Sequence, residues 1–159
     1  MNHETLMKLT EHLPMKIIFR GDGQIYLERY YVNTDVMGCQ HWLHRFVNAD
    51  MDERPHSHPW EAISHILYGW YRELYLTPSG TEMEVVRRTG SINKIIPETI
   101  HRISDVMQNT WTYFVVQPER LDKWSFIDKE GNLQMEDSSK PDWFLKHKTR
   151  AETYKEMGI

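Results

Sequence analysis

The chain of 159 residues contains one cysteine, Cys39. No internal disulfide can form and no multi-cysteine zinc site is available, which suits a reducing compartment. No apolar run approaches the roughly 20 residues that a membrane-spanning helix needs. Residues 1–14 are polar and charged and lack the apolar stretch of a secretory signal. The expectation is a soluble cytoplasmic protein with no membrane partner. An excess of one charge is also missing: 19 Lys and Arg stand against 23 Asp and Glu, a net charge of −4. That balance gives no support for a nucleic-acid-binding surface. GxSxG, GxxxxGK[ST] and GxGxxG are all absent, which removes those routes to serine hydrolysis and nucleotide binding.

What is present is a core-forming chain: 40% hydrophobic, with six Trp and eight Tyr. The length fits one domain over 1–159. Leu6, Leu9 and Leu13 follow at helical spacing, with Asn2 as a cap, and predict a short helix over 3–13 that Pro14 ends. Strand patterns then take over. A hairpin is expected over 17–32 around Gly21-Asp22-Gly23, and further strands at 39–47, 61–69, 70–77, 82–88, 91–96, 100–104, 110–117 and 124–127. Residues 48–55 read as a charged loop. Many short strands with frequent turn signals indicate an all-β sandwich or barrel, with its core over about 15–127. A charged C-terminal extension covers about 128–159, in which 149–157 reads as a helix or a loose tail.

The chemistry-bearing stretch is His56-Ser57-His58-Pro59-Trp60-Glu61. On an extended segment His56 and His58 point to the same face, roughly 6–7 Å apart. Two imidazoles beside a carboxylate suit a divalent ion of the Fe, Zn, Mn or Ni type. His101 follows in a separate short strand, after Gly90 and Pro97. In a barrel, ligands from several strands converge at one mouth. His56, His58, His101 and Glu61 are the expected metal ligands, and such a set leaves positions open for water or substrate.

The order His56-x-His58, Gly69, Gly90, Pro97, His101 resembles the two motifs of the cupin superfamily. Glu61 stands earlier than that pattern's glutamate, whose place falls near Ala62 or Ile63, and Thr99 stands where it has glycine. The runs Leu43-His44-Arg45-Phe46, His56-x-His58-Pro59-Trp60-Glu61, Arg87-Arg88-x-Gly90-Ser91, His101-Arg102, Trp111-Thr112 and Trp124-x-Phe126 look like small cupin-like proteins of bacteria and phages. The resemblance covers about 40–127. It implies a double-stranded β-helix, or jelly roll, preceded by the short helix and followed by the charged extension. It also implies a divalent metal cofactor and a homodimer paired through sheet edges.

Other residues fall around this frame. His44 is a candidate proton shuttle, and Glu61 a candidate ligand or proton acceptor. Arg45 and Arg102 are candidate anchors for a substrate anion, with Arg87 and Arg88 behind them. Trp60, Trp111 and Tyr113 are candidate pocket walls. His65 would share a face with Glu61 and Ile63 on an unbroken strand. The leading expectation is a metal-binding cupin acting as a non-haem Fe(II)-dependent oxygenase on a small polar substrate. The alternatives are a metal-dependent isomerase or epimerase of a sugar or sugar nucleotide, and a non-enzymatic ligand- or protein-binding cupin.

Overall fold

The computed structural model of the chain describes residues 1–49, 53–138 and 142–159. Residues 50–52 of the charged loop, and 139–141 of the extension, lie outside the described residues. Helix α1 (His3–Leu9) comes first, followed by β1 (Met15–Phe19), β2 (Ile25–Thr34) and β3 (Gln40–Phe46). Next come β4 (Ala62–Tyr68), β5 (Trp70–Leu76), β6 (Glu82–Arg88), β7 (Ile92–Ile95), β8 (His101–Val106) and β9 (Thr110–Val116). A hairpin of β10 (Lys123–Ile127) and β11 (Leu133–Asp137), a 3-10 turn (Trp143–Lys146) and α2 (Arg150–Met157) complete it. No helix among the described residues is long and apolar enough to cross a membrane.

Two antiparallel layers face each other. The first is β1-β2-β3-β9-β4-β7 and the second contains β6-β5-β8 and the β10-β11 pair. The His-x-His segment joins the parts of the second layer. His56 exchanges both backbone hydrogen bonds with His101, at 2.8 and 2.9 Å, and Ser57 N donates to Ser125 O at 2.7 Å. Glu53 accepts from Ile103 N at 2.6 Å and ties the preceding loop to β8.

Alternation sorts each strand. On β3, Trp42 and Phe46 pack between the layers, while Leu43 packs on the outer face with Leu6, Met15, Tyr30 and Trp111. Both faces of the large sheet are therefore covered, so β2, β3 and β9 carry buried residues on both sides. Gly69 makes the sharp β4–β5 corner at φ +87°, and a Cβ there would collide with the Thr110 hydroxyl.

Helix α1 stops at Leu9, earlier than the leucine spacing predicts. Thr10 Oγ1 bonds back to Leu6 O at 2.8 Å, and Leu13 lies just before a proline, where helical backbone is disfavoured. The 150–157 segment forms a helix, with a Thr149–Glu152 capping box and Gly158 in the left-handed C-cap. It docks by side chains. Arg150 donates to Tyr30 Oη at 2.9 Å and Met7 O at 2.9 Å, and Tyr154 Oη donates to the fully buried Glu28. Just before it, Phe144 stacks on Tyr31 at 3.7 Å.

Candidate metal centre

His56, His58 and His101 present ring nitrogens that all lie within 4.8 Å of one another. His58 stands opposite Ser57, which points to the other side and pairs with Ser125. The His58 and His101 Nε2 atoms are 2.9 Å apart. Two of the rings have their far nitrogen committed. His56 Nδ1 donates to Arg54 O at 2.8 Å, and His101 Nδ1 donates to Glu73 Oε1 at 2.6 Å. Each of those Nδ1 protons leaves an Nε2 lone pair facing the common point, the tautomer a metal requires.

Glu73 was not foreseen from the sequence. It is buried on β5 and also accepts from Arg87 Nε at 3.0 Å and Asn93 Nδ2 at 3.1 Å. Burial alone would raise its carboxyl pKa, but the His101 hydrogen bond and the His101 and Arg87 charges outweigh it and hold the pKa down. Burial, with His101 nearby, depresses His56 to about 4. Burial and the neighbouring His56, His101, Arg29 and His44 push His58 well below its ordinary value. The downward shifts keep His56 and His58 in the neutral form, the form that binds a metal.

The rings open onto a cavity of about 1110 Å³ between the two layers. Trp60 lines it and stacks on His58 at 4.3 Å. His44 also lines it, but its Nε2 accepts a hydrogen bond from Arg29 Nε at 3.0 Å, so the nitrogen a proton shuttle would use is engaged. Arg29 itself lies on the cavity wall, with its guanidinium 4.2 Å from the Trp42 ring centroid.

Several expected residues stand elsewhere. Glu61 is absent from the histidine cluster; its carboxylate is 43% exposed and pairs with Lys94 Nζ at 3.0 Å. The Pro59-Trp60 turn sends Trp60 inward and Glu61 outward, and on β4 it is Ala62 and Ser64 that are buried. Ile63 and His65 follow the outward alternation and line no part of the cavity. Arg45 points to the opposite side of β3 from His44 and binds buried Glu28 at 3.2 Å. Arg102 alternates away from His101 and is not on the cavity wall. Arg87 serves Glu73, and Arg88 lies outside the cavity. Trp111 packs under α1, stacked on Tyr30, with Nε1 donating to His3 Nδ1 at 3.0 Å. Tyr113 bonds His41 at 2.5 Å, on the outer face of the sheet.

No protein-family model matches the sequence, and no curated protein sequence is similar to it. Solved structures are similar in fold. Fe(II)-HppE with the alternative substrate (S)-1-HPP aligns at a TM-score of 0.52 and 13% identity, over 68% of this chain and 57% of that one. Streptomyces albus HEPD with 2-hydroxyethylphosphonate and Fe(II) bound aligns at 0.52 and 10% identity, over 66% of this chain and 24% of that one. A Bacillus subtilis oxalate decarboxylase variant aligns at 0.54 and 12% identity, over 92% of this chain and 35% of that one. The chain thus spans little more than half the length of the first of these and less of the others. Fold and site together define a cupin-type jelly roll with a three-histidine cluster suited to a divalent metal.

Proposed function

We propose that this protein is a non-haem Fe(II)-dependent oxygenase that acts on a small polar substrate inside the barrel. The observation that carries the reading is the convergence of three imidazoles on one point of a large open cavity. His56, His58 and His101 would hold the ion. A bound Fe(II) with positions left open supplies the redox chemistry for reaction with dioxygen. Glu73 and the Arg54 carbonyl orient two of the rings, and Trp60 fixes the third by stacking. Phe114, Leu27 and Ile95 give the substrate space an apolar stretch of wall beside its polar groups. Two fold neighbours are described with Fe(II) bound, which supports iron over zinc, manganese or nickel.

The redox-neutral alternative, isomerisation or epimerisation, needs a carboxylate or histidine free to move a proton. Glu73 is held by three partners, and His44 is engaged by Arg29. The oxygenase reading makes no such demand. Oxygen uptake by iron-loaded protein, measured with panels of small polar compounds, is the test. Uptake coupled to one compound, absent in His58→Ala, is expected. Turnover of a sugar or sugar nucleotide without oxygen uptake would reverse the order of the two readings. No turnover of any kind would leave a binding cupin. The homodimer belongs to the same proposal. Edge strand β6 exposes Met83 and Val86, and light scattering on the purified chain is expected to give twice its 19.1 kDa mass.

A further inference from the structure

One of the cations on the cavity wall has an unusual set of neighbours. Arg29 sits on β2 between Glu28 and Tyr30, which both point to the outer face of the sheet. Its Nε donates to His44, and its face lies over Trp42. Among the described residues no carboxylate pairs with it and nothing accepts from its two Nη groups. Arg20, also on the cavity wall, is tied to Asp22 at 2.8 Å, and Arg54 lies over the Phe126 ring at 5.4 Å. Arg29 combines an Nε fixed by His44 with two Nη groups, the edge that grips an oxyanion, that meet no acceptor among the described residues.

A second orphan faces the same space. Thr112 is 2% exposed and its hydroxyl has no hydrogen-bond partner. It stands directly opposite His44 in the β3–β9 ladder and lines the same cavity. A buried hydroxyl without a partner is costly, and so is a guanidinium removed from water without an anion. Both costs are recovered if one ligand group satisfies both. Surrounding protein, with Arg120 adding like charge, already pulls the Arg29 pKa down to about 9, in the direction an anion would reverse.

We propose that Arg29 and Thr112 form a subsite for the oxyanion of a small ligand, a carboxylate or a phosphonate, and that His44 is the positioning residue that aims Arg29. The proposal deepens the oxygenase reading, because it names the substrate class for the same cavity. Trp42 links the two regions: it carries Arg29 on one side and meets Trp60, which covers His58, edge-on at 5.9 Å. A ligand held at Arg29 therefore extends along the wall that leads to the histidines. A divalent ion held by the histidines would add to the attraction for an anion.

The test is calorimetric titration of propionate, methylphosphonate and inorganic phosphate, at matched ionic strength, into chelator-treated and into metal-loaded protein. Binding by the wild type in both states is expected. Binding weaker by about tenfold or more is expected in Arg29→Met, with partial recovery in Arg29→Lys. His44→Gln keeps an acceptor for Nε and is expected to retain binding, whereas His44→Phe weakens it. Preference for propionate identifies a carboxylate ligand. Preference for methylphosphonate over free phosphate identifies a phosphonate, and the reverse order a phosphate. If Arg29→Met fails to fold, Thr112→Val and His44→Phe decide. Equal binding by folded Arg29→Met, or by both substitute variants, overturns the subsite. So does failure of all three probes to bind the wild type in either state. Arg29-dependent binding by a protein that takes up no metal would sink the oxygenase reading and leave the subsite standing.

Discussion

The Glu73 carboxylate decides which nitrogen of His101 is free, because it holds the Nδ1 proton at 2.6 Å. Glu73→Ala is expected to lower metal affinity about 10- to 100-fold, read by competition with a chromophoric chelator. Glu61→Ala, at an exposed ion pair, is expected to leave metal affinity unchanged and stability within about 0.5 kcal/mol. The same chelator competition and a urea titration check both. The buried imidazoles also set a pH dependence. Folded His56 titrates near 4, and His44 and His58 are pushed down by burial, whereas the unfolded rings titrate near 6.5. The unfolded chain therefore binds more protons below about pH 6.5. Metal-free protein is expected to lose stability as pH falls from about 6.5 toward 4. Urea midpoints that stay flat across that window would contradict the burial of these rings. The His-x-His pair was legible because both ligands sit on one short segment and act through simple alternation. Glu73 was not, because its partner lies 28 positions away and a strand of alternating polar and apolar residues does not announce which face is inside. Arg29 is hidden in the same way, and the Arg45 position reads as an anchor in sequence because only the strand register shows it facing Glu28.

Strands were legible as elements, since β-branched and aromatic residues bounded by Gly and Pro mark them well. What the pattern could not show was where the short pieces dock. The hairpin partner β11 is exposed along its whole length and carries no core signature. The C-terminal helix has no buried residue, so its docking is invisible to hydrophobic periodicity. It is held by polar side chains instead: Arg150 and Tyr154 reach Tyr30 and buried Glu28. Arg150→Ala removes the bonds to Thr10, Tyr30 and the Met7 carbonyl from this part-buried cluster and is expected to cost about 2 kcal/mol, read from urea denaturation. Gly69→Ala forces a side chain into left-handed backbone against Thr110, with an expected loss of about 2–4 kcal/mol in the same assay. A loss below about 0.5 kcal/mol in either variant would contradict the packing described.

At the scale of the whole molecule, two sheets flank one large cavity, with the three-histidine cluster on one wall and the Arg29 guanidinium on another. The jelly-roll topology brings residues 56, 58 and 101 together from segments more than forty positions apart, through the backbone pair between His56 and His101. That pairing makes the cluster a property of the fold rather than of a loop. The central claim is that the cluster holds a metal. It is tested most directly by elemental analysis of protein purified without chelator or histidine tag, beside a His58→Ala/His101→Ala variant with wild-type circular dichroism. Near-stoichiometric iron in the wild type, lost in the variant, is the result this account predicts. No metal in either protein, with no uptake on anaerobic reconstitution with Fe(II), would contradict it.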